Sequence, residues 1–190
     1  MSGTFPSSPG FVSTGFRSTS YNLSSTSVSG RTQVRGIGSQ RWEFTAVFPP
    51  MNRAEYGPIN AFLIKQRGML ESFQIVLPII SDKSSSASGT ITSGTASIGA
   101  TVCNITGLTG TLKAGDVIKF ASHNKVYMLT NDRTGNGTIE FEPQLMAAVT
   151  AATLTYDSVP FTVRLNNDVQ EFNYATDGTV ALEIDLIEVI

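Results

Sequence analysis

The chain has 190 residues, of which 41% are hydrophobic and 15% are charged, and its net charge is −2. One cysteine and one histidine exclude an intrachain disulfide and a zinc site built from several such ligands. The near-neutral charge argues against nucleic acid or an acidic membrane surface as the partner. Abundant Ser and Thr, with 17 Gly and 8 Pro, predict many turns and a mainly β chain.

The first 37 residues are rich in Ser, Thr and Gly, and those from 16 onward carry few side chains large enough to fill a core. Residues 1–15 combine Ser, Gly and Pro with scattered Phe, and we expect a flexible arm or an extended strap. Residues 16–37 predict two facing strands with a turn near Ser29-Gly30. Strands this polar usually face water or a partner on at least one side.

A strand, a helix and a second strand follow. In RWEFTAVF the large side chains alternate, which predicts a strand with one buried face, and the double proline Pro49-Pro50 ends it. Asn52 and Glu55 have the spacing of a capping box, and Gly68 is a C-terminal stop signal. Alternation resumes in SFQIVLPI, which predicts a strand with four buried side chains, Phe73, Ile75, Leu77 and Ile79.

The middle of the chain changes character. Low-complexity Ser, Gly and Thr between residues 81 and 97 indicate a linker or exposed loop. Five short alternating segments then recur at intervals typical of a small barrel or sandwich. After residue 160 longer strands return, and the last of them alternates strongly. Its predicted buried face carries Val180, Leu182, Ile184 and Leu186.

These patterns predict a mainly β fold, namely a split-barrel-like β-sandwich with one packed α-helix and an inserted small β-barrel. The predicted divisions are a flexible arm at 1–15, a ring-forming domain at 16–80 plus 160–190, a linker at 81–89 and the inserted module at 90–159. Insertion into a loop whose ends lie close together is well tolerated.

Charge is distributed unevenly between the two ends of the chain. The first 42 residues contain four arginines and no acid, whereas the residues after Arg164 contain six acids and no Lys or Arg. These charges pair either within one sheet or between neighbouring copies, because long β segments need partners for their edges. The candidates for an inter-subunit contact are Arg31, Arg35, Arg41, Glu183, Asp185 and Glu188.

The sequence offers little for catalysis. His123 lies between Ser and Asn before a predicted strand, where a turn residue is expected, and no second group completes a nucleophilic triad. The segment NDRTGNGTIE lacks the alternate carboxylates of a calcium loop, and its Asn-Gly pair predicts a hairpin. We therefore expect a protein without enzymatic activity, cofactor or metal.

Three stretches resemble the distal-tail or tail-hub proteins of tailed bacteriophages, also called minor tail proteins. The first is SGRTQVRGIGSQRWEFTAVFPPMNRAEYGPINAFLIKQRGMLESFQIVLP, the second is LKAGDVIKFASHNKVYMLTND, and the third is VPFTVRLNNDVQEFNYAT followed by ALEIDLIEVI. The resemblance implies a β-sandwich flanked by a helix. It also implies a ring, commonly of six copies, which joins the tail tube to the tail tip or baseplate and contacts neighbouring tail proteins.

That resemblance implies a location in the virion tail after assembly in the cytoplasm of a host bacterium. The N-terminus lacks the basic start and apolar core of a signal peptide, and no membrane partner is expected. Two alternatives stay open. One is another virion ring, such as a tail tube, tail terminator or head–tail connector component. The other is a carbohydrate-binding module that would use aromatic side chains of the inserted barrel, Phe120, Tyr127, Phe141 and Tyr156.

Overall fold

The structure is a computed structural model that describes residues 3–176 and 178–190. Its first elements are β1 (Ser13–Thr26), β2 (Thr32–Val47), α1 (Arg53–Lys65), β3 (Phe73–Ile75), β4 (Thr92–Ser93), β5 (Val102–Thr106), β6 (Thr111–Leu112) and β7 (Val117–Phe120). The remaining elements are β8 (Val126–Leu129), β9 (Arg133–Thr134), β10 (Gly137–Glu142), β11 (Leu154–Thr155), β12 (Phe161–Leu165), β13 (Asn173–Tyr174), β14 (Val180–Ala181) and β15 (Glu183–Glu188). The predicted mainly β class is confirmed.

Five antiparallel strands from both ends of the chain form the first sheet, in the order β1-β2-β15-β12-β3. The alternation predicted over residues 41–48 and 180–186 is confirmed, because the large apolar side chains on the predicted inner face are buried and the residues between them are not. Helix α1 adds Ile59 and Leu63 to the same core. Strands from the two ends of the chain therefore share one sheet, with Glu183 of β15 opposite Val47 of β2.

The predicted capping box at the start of α1 is confirmed. The Asn52 side chain accepts the Ala54 and Glu55 amide protons, and the Glu55 carboxylate accepts the amide proton of Asn52 at 3.0 Å. The helix continues through Pro58 and ends before Gly68, whose φ is +66°.

The strand predicted over SFQIVLPI is shorter than expected. Phe73, Ile75 and Leu77 are buried, but β3 ends at Ile75 and the side chain of Ile79 is 87% exposed. Pro78 lacks the amide proton that a continued ladder requires, and its carbonyl accepts the Ile80 amide proton in a tight turn. The prediction that Ile79 is buried is therefore wrong.

Six strands of the inserted module form the second sheet, in the order β11-β7-β8-β10-β5-β4. Hydrogen bonds join the β4 and β11 segments at the two edges of this sheet, including one from Leu154 N–H to Ile91 O at 2.9 Å. They nearly close the sheet into a barrel. Its core contains Cys103, buried as predicted, and the rings of Phe120, Tyr127 and Phe141. The barrel predicted from five short segments is confirmed.

Two segments contact these cores, namely the predicted arm or strap at 1–15 and the predicted linker or exposed loop that begins at residue 81. Phe5 of the predicted arm is buried, and its amide proton is donated to Gln74 O at 2.8 Å beside the edge strand β3. In the predicted linker and its continuation, Ala87 and Ile91 are buried in the barrel, and Ser84 donates to Asp116. Small side chains permit this close packing in the second segment, which composition alone does not reveal.

Candidate inter-subunit surface

The outer half of the β1–β2 hairpin is the most exposed part of the sheet. Every residue from 20 to 38 is exposed, whereas β2 from residue 40 onward alternates between core and surface. A register shift between Ser20 and Asn22, with Gly38 at φ +78°, separates the two halves. The outer half therefore extends beyond the core of its own subunit.

The tip of this hairpin is held by local hydrogen bonds. Ser27 N–H donates to Arg31 O and Gly30 N–H donates to Ser27 O, both at 2.9 Å, and Arg31 N–H donates to the Ser27 hydroxyl at 3.2 Å. Gly30 takes a φ of +77°, which suits glycine in a tight turn. The turn predicted near Ser29-Gly30 is thus formed without any partner.

One face of the outer hairpin is more apolar than the other. Antiparallel register places Leu23 opposite Arg35, so that both side chains project from the same face, with Tyr21 on that face two residues before Leu23. The side chains of Tyr21 and Leu23 are 46% and 60% exposed. The opposite face carries smaller or more polar residues, Asn22, Ser24, Thr26, Thr32 and Val34.

A second feature, the acidic groove, lies at the far end of β2 and at the start of β15. It has a volume of about 370 Å³ and combines apolar and acidic side chains. Its lining residues are Val47, Phe48, Glu171, Asn173, Ala181, Leu182, Glu183 and Asp185. The Thr45 hydroxyl donates to Asp185 Oδ1 at 2.7 Å and orients that carboxylate. Glu171 was not among the residues selected from the sequence, because no pattern indicated that its loop borders this groove.

The six candidates chosen from the sequence occupy three places. Arg31 and Arg35 are exposed on the outer hairpin, and Glu183 and Asp185 border the acidic groove. In the described part of the chain, none of these four side chains forms an ion pair. The inter-subunit role predicted for them stays a prediction.

Glu188 does not fit a contact between subunits, because its side chain is fully buried. Its carboxylate pairs with the Lys125 ammonium and accepts the Val126 amide proton at 2.9 Å and the Trp42 amide proton at 3.3 Å. Lys125 also donates to Gln40 O at 3.0 Å and to Gln40 Oε1 at 2.7 Å. The pair joins the inserted barrel to the first sheet inside one subunit. We call this buried contact between the barrel and the sheet the seam.

The electrostatics of this seam follow from its burial. Loss of water raises the pKa of Glu188 and lowers the pKa of Lys125, while their mutual attraction opposes both shifts. The charge of Arg41 lowers the pKa of Lys125 further, so this half-buried arginine is close to the seam rather than at the hairpin tip. The Trp42 indole adds a hydrogen bond to Val126 O at 2.8 Å across the same seam.

His123 lies in the predicted turn and packs against the barrel. Its Nε2 is 2.7 Å from the Tyr127 hydroxyl, and its Nδ1 is 3.0 Å from the Ser122 hydroxyl. Burial, followed by the charge of Lys119, lowers the pKa of His123.

Among the described residues no group of three or more His, Cys, Asp or Glu side chains is placed to hold a metal ion. The helix of the described chain is too short and too polar to cross a membrane.

Comparison with known families identifies the inserted barrel. Residues 82–155 match the family model described as distal tail protein pb9, B domain. This segment is similar to a domain of a distal tail protein. This match confirms the resemblance to phage distal tail proteins that the sequence indicates, and it supports a structural role in a phage tail. A comparison with curated proteins found no match.

The matched range and the predicted range of the module are similar but not identical. The match begins at residue 82, within the segment predicted as a linker, and ends at 155, before the predicted end at 159. In the structure, residues 84–93 contribute hydrogen bonds and buried side chains to the barrel. The B-domain barrel therefore includes residues before position 90, while the division of the remaining chain stays a prediction.

Proposed function

We propose that the protein forms a homo-oligomeric ring, commonly of six copies, at the distal end of a phage tail. The ring connects the tail tube to the tail tip, within the hub or baseplate, and contacts neighbouring tail proteins. Assembly takes place in the cytoplasm of the host bacterium, without enzymatic activity or cofactor. The B-domain match supports the tail location.

The exposed outer hairpin is the observation that supports the proposed ring. A two-stranded hairpin alone is marginally stable in water, and it normally gains its stability from a third strand or from packing. Here residues 20–38 are exposed, and among the described residues only β2 pairs with β1, so the outer edge of β1 is open. Long open edges are usually covered in the mature protein. A neighbouring copy would cover it in a ring.

Other virion rings share these requirements. A tail tube, terminator or connector component would also use exposed strands to contact the next copy, and the B-domain match favours the distal position. The carbohydrate-binding alternative has less support, because stacking on a sugar needs exposed rings. Phe120, Tyr127 and Phe141 are at most 1% exposed, and the Tyr156 hydroxyl is bonded to Gly89 O at 2.8 Å.

The oligomeric state of the full chain tests this proposal. Native mass spectrometry and negative-stain electron microscopy should show closed rings of uniform copy number. Mixing with the tail-tube protein of the same phage should give a complex with the ring at the tube end. A chain that stays monomeric over the full concentration range would overturn the ring.

A further inference from the structure

The outer hairpin has the features of a preformed docking element. Its turn is fixed by the Ser27–Arg31 hydrogen bonds, so binding would cost little ordering of the backbone. One face presents Tyr21 and Leu23 beside the guanidinium of Arg35, and Arg31 adds a second positive charge at the tip. Its chemical complement is a surface that is partly apolar and negatively charged.

The acidic groove has this composition. Val47 and Ala181 supply its accessible apolar lining, and three carboxylates border it, from Glu171, Glu183 and Asp185. Glu183 and Asp185 are exposed and project from the same side of β15, as residues two apart in a strand must. The groove and the hairpin face are therefore complementary in charge and both partly apolar.

The same strand prevents the two features from meeting within one subunit. Arg35 and Val47 both belong to β2, and Val47 is opposite Glu183 in the sheet. Val47 lies twelve positions after Arg35, which corresponds to at most about 40 Å of extended chain. Because β2 is continuous between them, the hairpin cannot fold back onto its own groove. Only a second copy brings the two surfaces together.

We propose that the Tyr21–Arg35 face of the outer hairpin of one copy docks in the acidic groove of the next copy. Arg31 and Arg35 pair with the carboxylates of Glu171, Glu183 and Asp185, while Tyr21 and Leu23 pack on the apolar lining. This contact rests on the proposed ring and names the surfaces that build it. Two different patches meet, as in every heterologous contact that closes into a ring.

Two single-sided variants and their mixture test the contact. The hairpin variant carries Arg31→Glu and Arg35→Glu, and the groove variant carries Glu183→Arg and Asp185→Arg. Each variant alone places like charges opposite each other and should weaken self-association by at least about 100-fold. In the equimolar mixture the reversed hairpin meets the reversed groove, and the native hairpin meets the native groove. Native mass spectrometry should then show complexes in which the two variants alternate.

A matched control separates this contact from the effect of net charge. Arg53→Glu with Lys65→Glu changes the net charge by the same amount as the hairpin variant, at exposed positions of α1. This control should assemble like the wild type, and circular dichroism should show that all variants are folded. Defects that appear equally in the control would overturn the proposed pairing.

The outcomes distinguish the contact from the ring. Hairpin and groove variants that assemble as well as the wild type would overturn the contact and leave the ring intact. Variants that fail alone and also fail when mixed would overturn the pairing of these two surfaces. A wild-type chain that remains monomeric would overturn the ring and the contact together.

Discussion

The ammonium of Lys125, in the inserted barrel, is buried against the carboxylate of Glu188, near the end of the chain. Both side chains are at most 1% exposed, and backbone and amide groups around them complete their hydrogen bonds. This pair, with the Trp42 indole bonded to Val126 O, fixes the barrel on the first sheet. Buried polar contacts thus hold the B-domain barrel in one orientation on the first sheet.

Removing one member of this pair should destabilise the protein strongly. We expect Lys125→Met to lower the free energy of unfolding by about 3–5 kcal/mol, because the Glu188 charge then stays buried without a partner. The double variant Lys125→Met, Glu188→Gln should recover part of this loss, since no charge remains. Urea unfolding followed by tryptophan fluorescence measures both.

An exposed ion pair provides the control for that experiment. Arg17 Nη1 lies 3.6 Å from Glu43 Oε2, and the Arg17 side chain is 77% exposed. We expect Arg17→Met to cost less than about 1 kcal/mol, as exposed pairs usually do. Equal losses for Arg17→Met and Lys125→Met would show that burial of the Lys125 pair does not matter.

His123 should make stability depend on pH below neutrality. Burial and the Lys119 charge lower its pKa from the ordinary value of 6.5, so the folded protein favours the neutral imidazole. The Tyr127 hydroxyl accepts the Met146 amide proton at 3.1 Å, and its own proton can be donated to His123 Nε2. The resulting stability is fully present above pH 6.5 and is lost as the pH falls through the lowered pKa of His123.

Thermal unfolding between pH 7.5 and pH 5 measures this dependence. The His123→Asn variant should show a flatter profile than the wild type over the acid part of the range. Burial raises the pKa of Tyr127 to about 12, so its hydroxyl does not titrate there. Parallel profiles for the two proteins would contradict the role assigned to His123.

Two glycines near α1 should respond differently to alanine. A Cβ at Gly68 would lie 2.4 Å from Asp168 Oδ1, at a φ of +66°, and we expect Gly68→Ala to cost about 1–3 kcal/mol. Gly57 lies within the helix, but it directly precedes Pro58, whose ring crowds a helical Cβ at that position. This crowding offsets the roughly 0.5–1 kcal/mol that alanine usually adds in a helix, so Gly57→Ala should change stability little. The denaturant midpoint should therefore fall for Gly68→Ala and stay nearly constant for Gly57→Ala.

The apolar face of the outer hairpin should matter more for assembly than its opposite face. Leu23 and Val34 are both largely exposed, at 60% and 66%, but they project from opposite faces. We expect Leu23→Ser to weaken self-association about ten-fold, which corresponds to about 1.4 kcal/mol, and Val34→Ser to change it little. Sedimentation velocity measures both, and a larger effect of Val34→Ser would assign docking to the other face.

Local sequence determined much of this fold, because its signals act over a few residues. Alternation predicted the buried faces of β2 and β15, and Asn52 with Glu55 predicted the start of α1. The Ser29-Gly30 turn and the strands of the barrel could also be predicted, since periodicity and turn chemistry depend on neighbours in the chain. Pro78 signalled the end of a strand, but the alternating apolar residues around it suggested a strand longer than proline permits.

Only the tertiary structure decided which charges are free. Alternation places Glu183 on the polar face of β15 and Glu188 on the buried face that carries Ile184, but it names no partner for a buried carboxylate. The partner is Lys125, 63 residues away along the chain, which the barrel brings onto the end of β15. Strand order likewise put the hairpin tip and the acidic groove at opposite ends of β2. Local pattern cannot encode such contacts, because they form only when distant segments pack together.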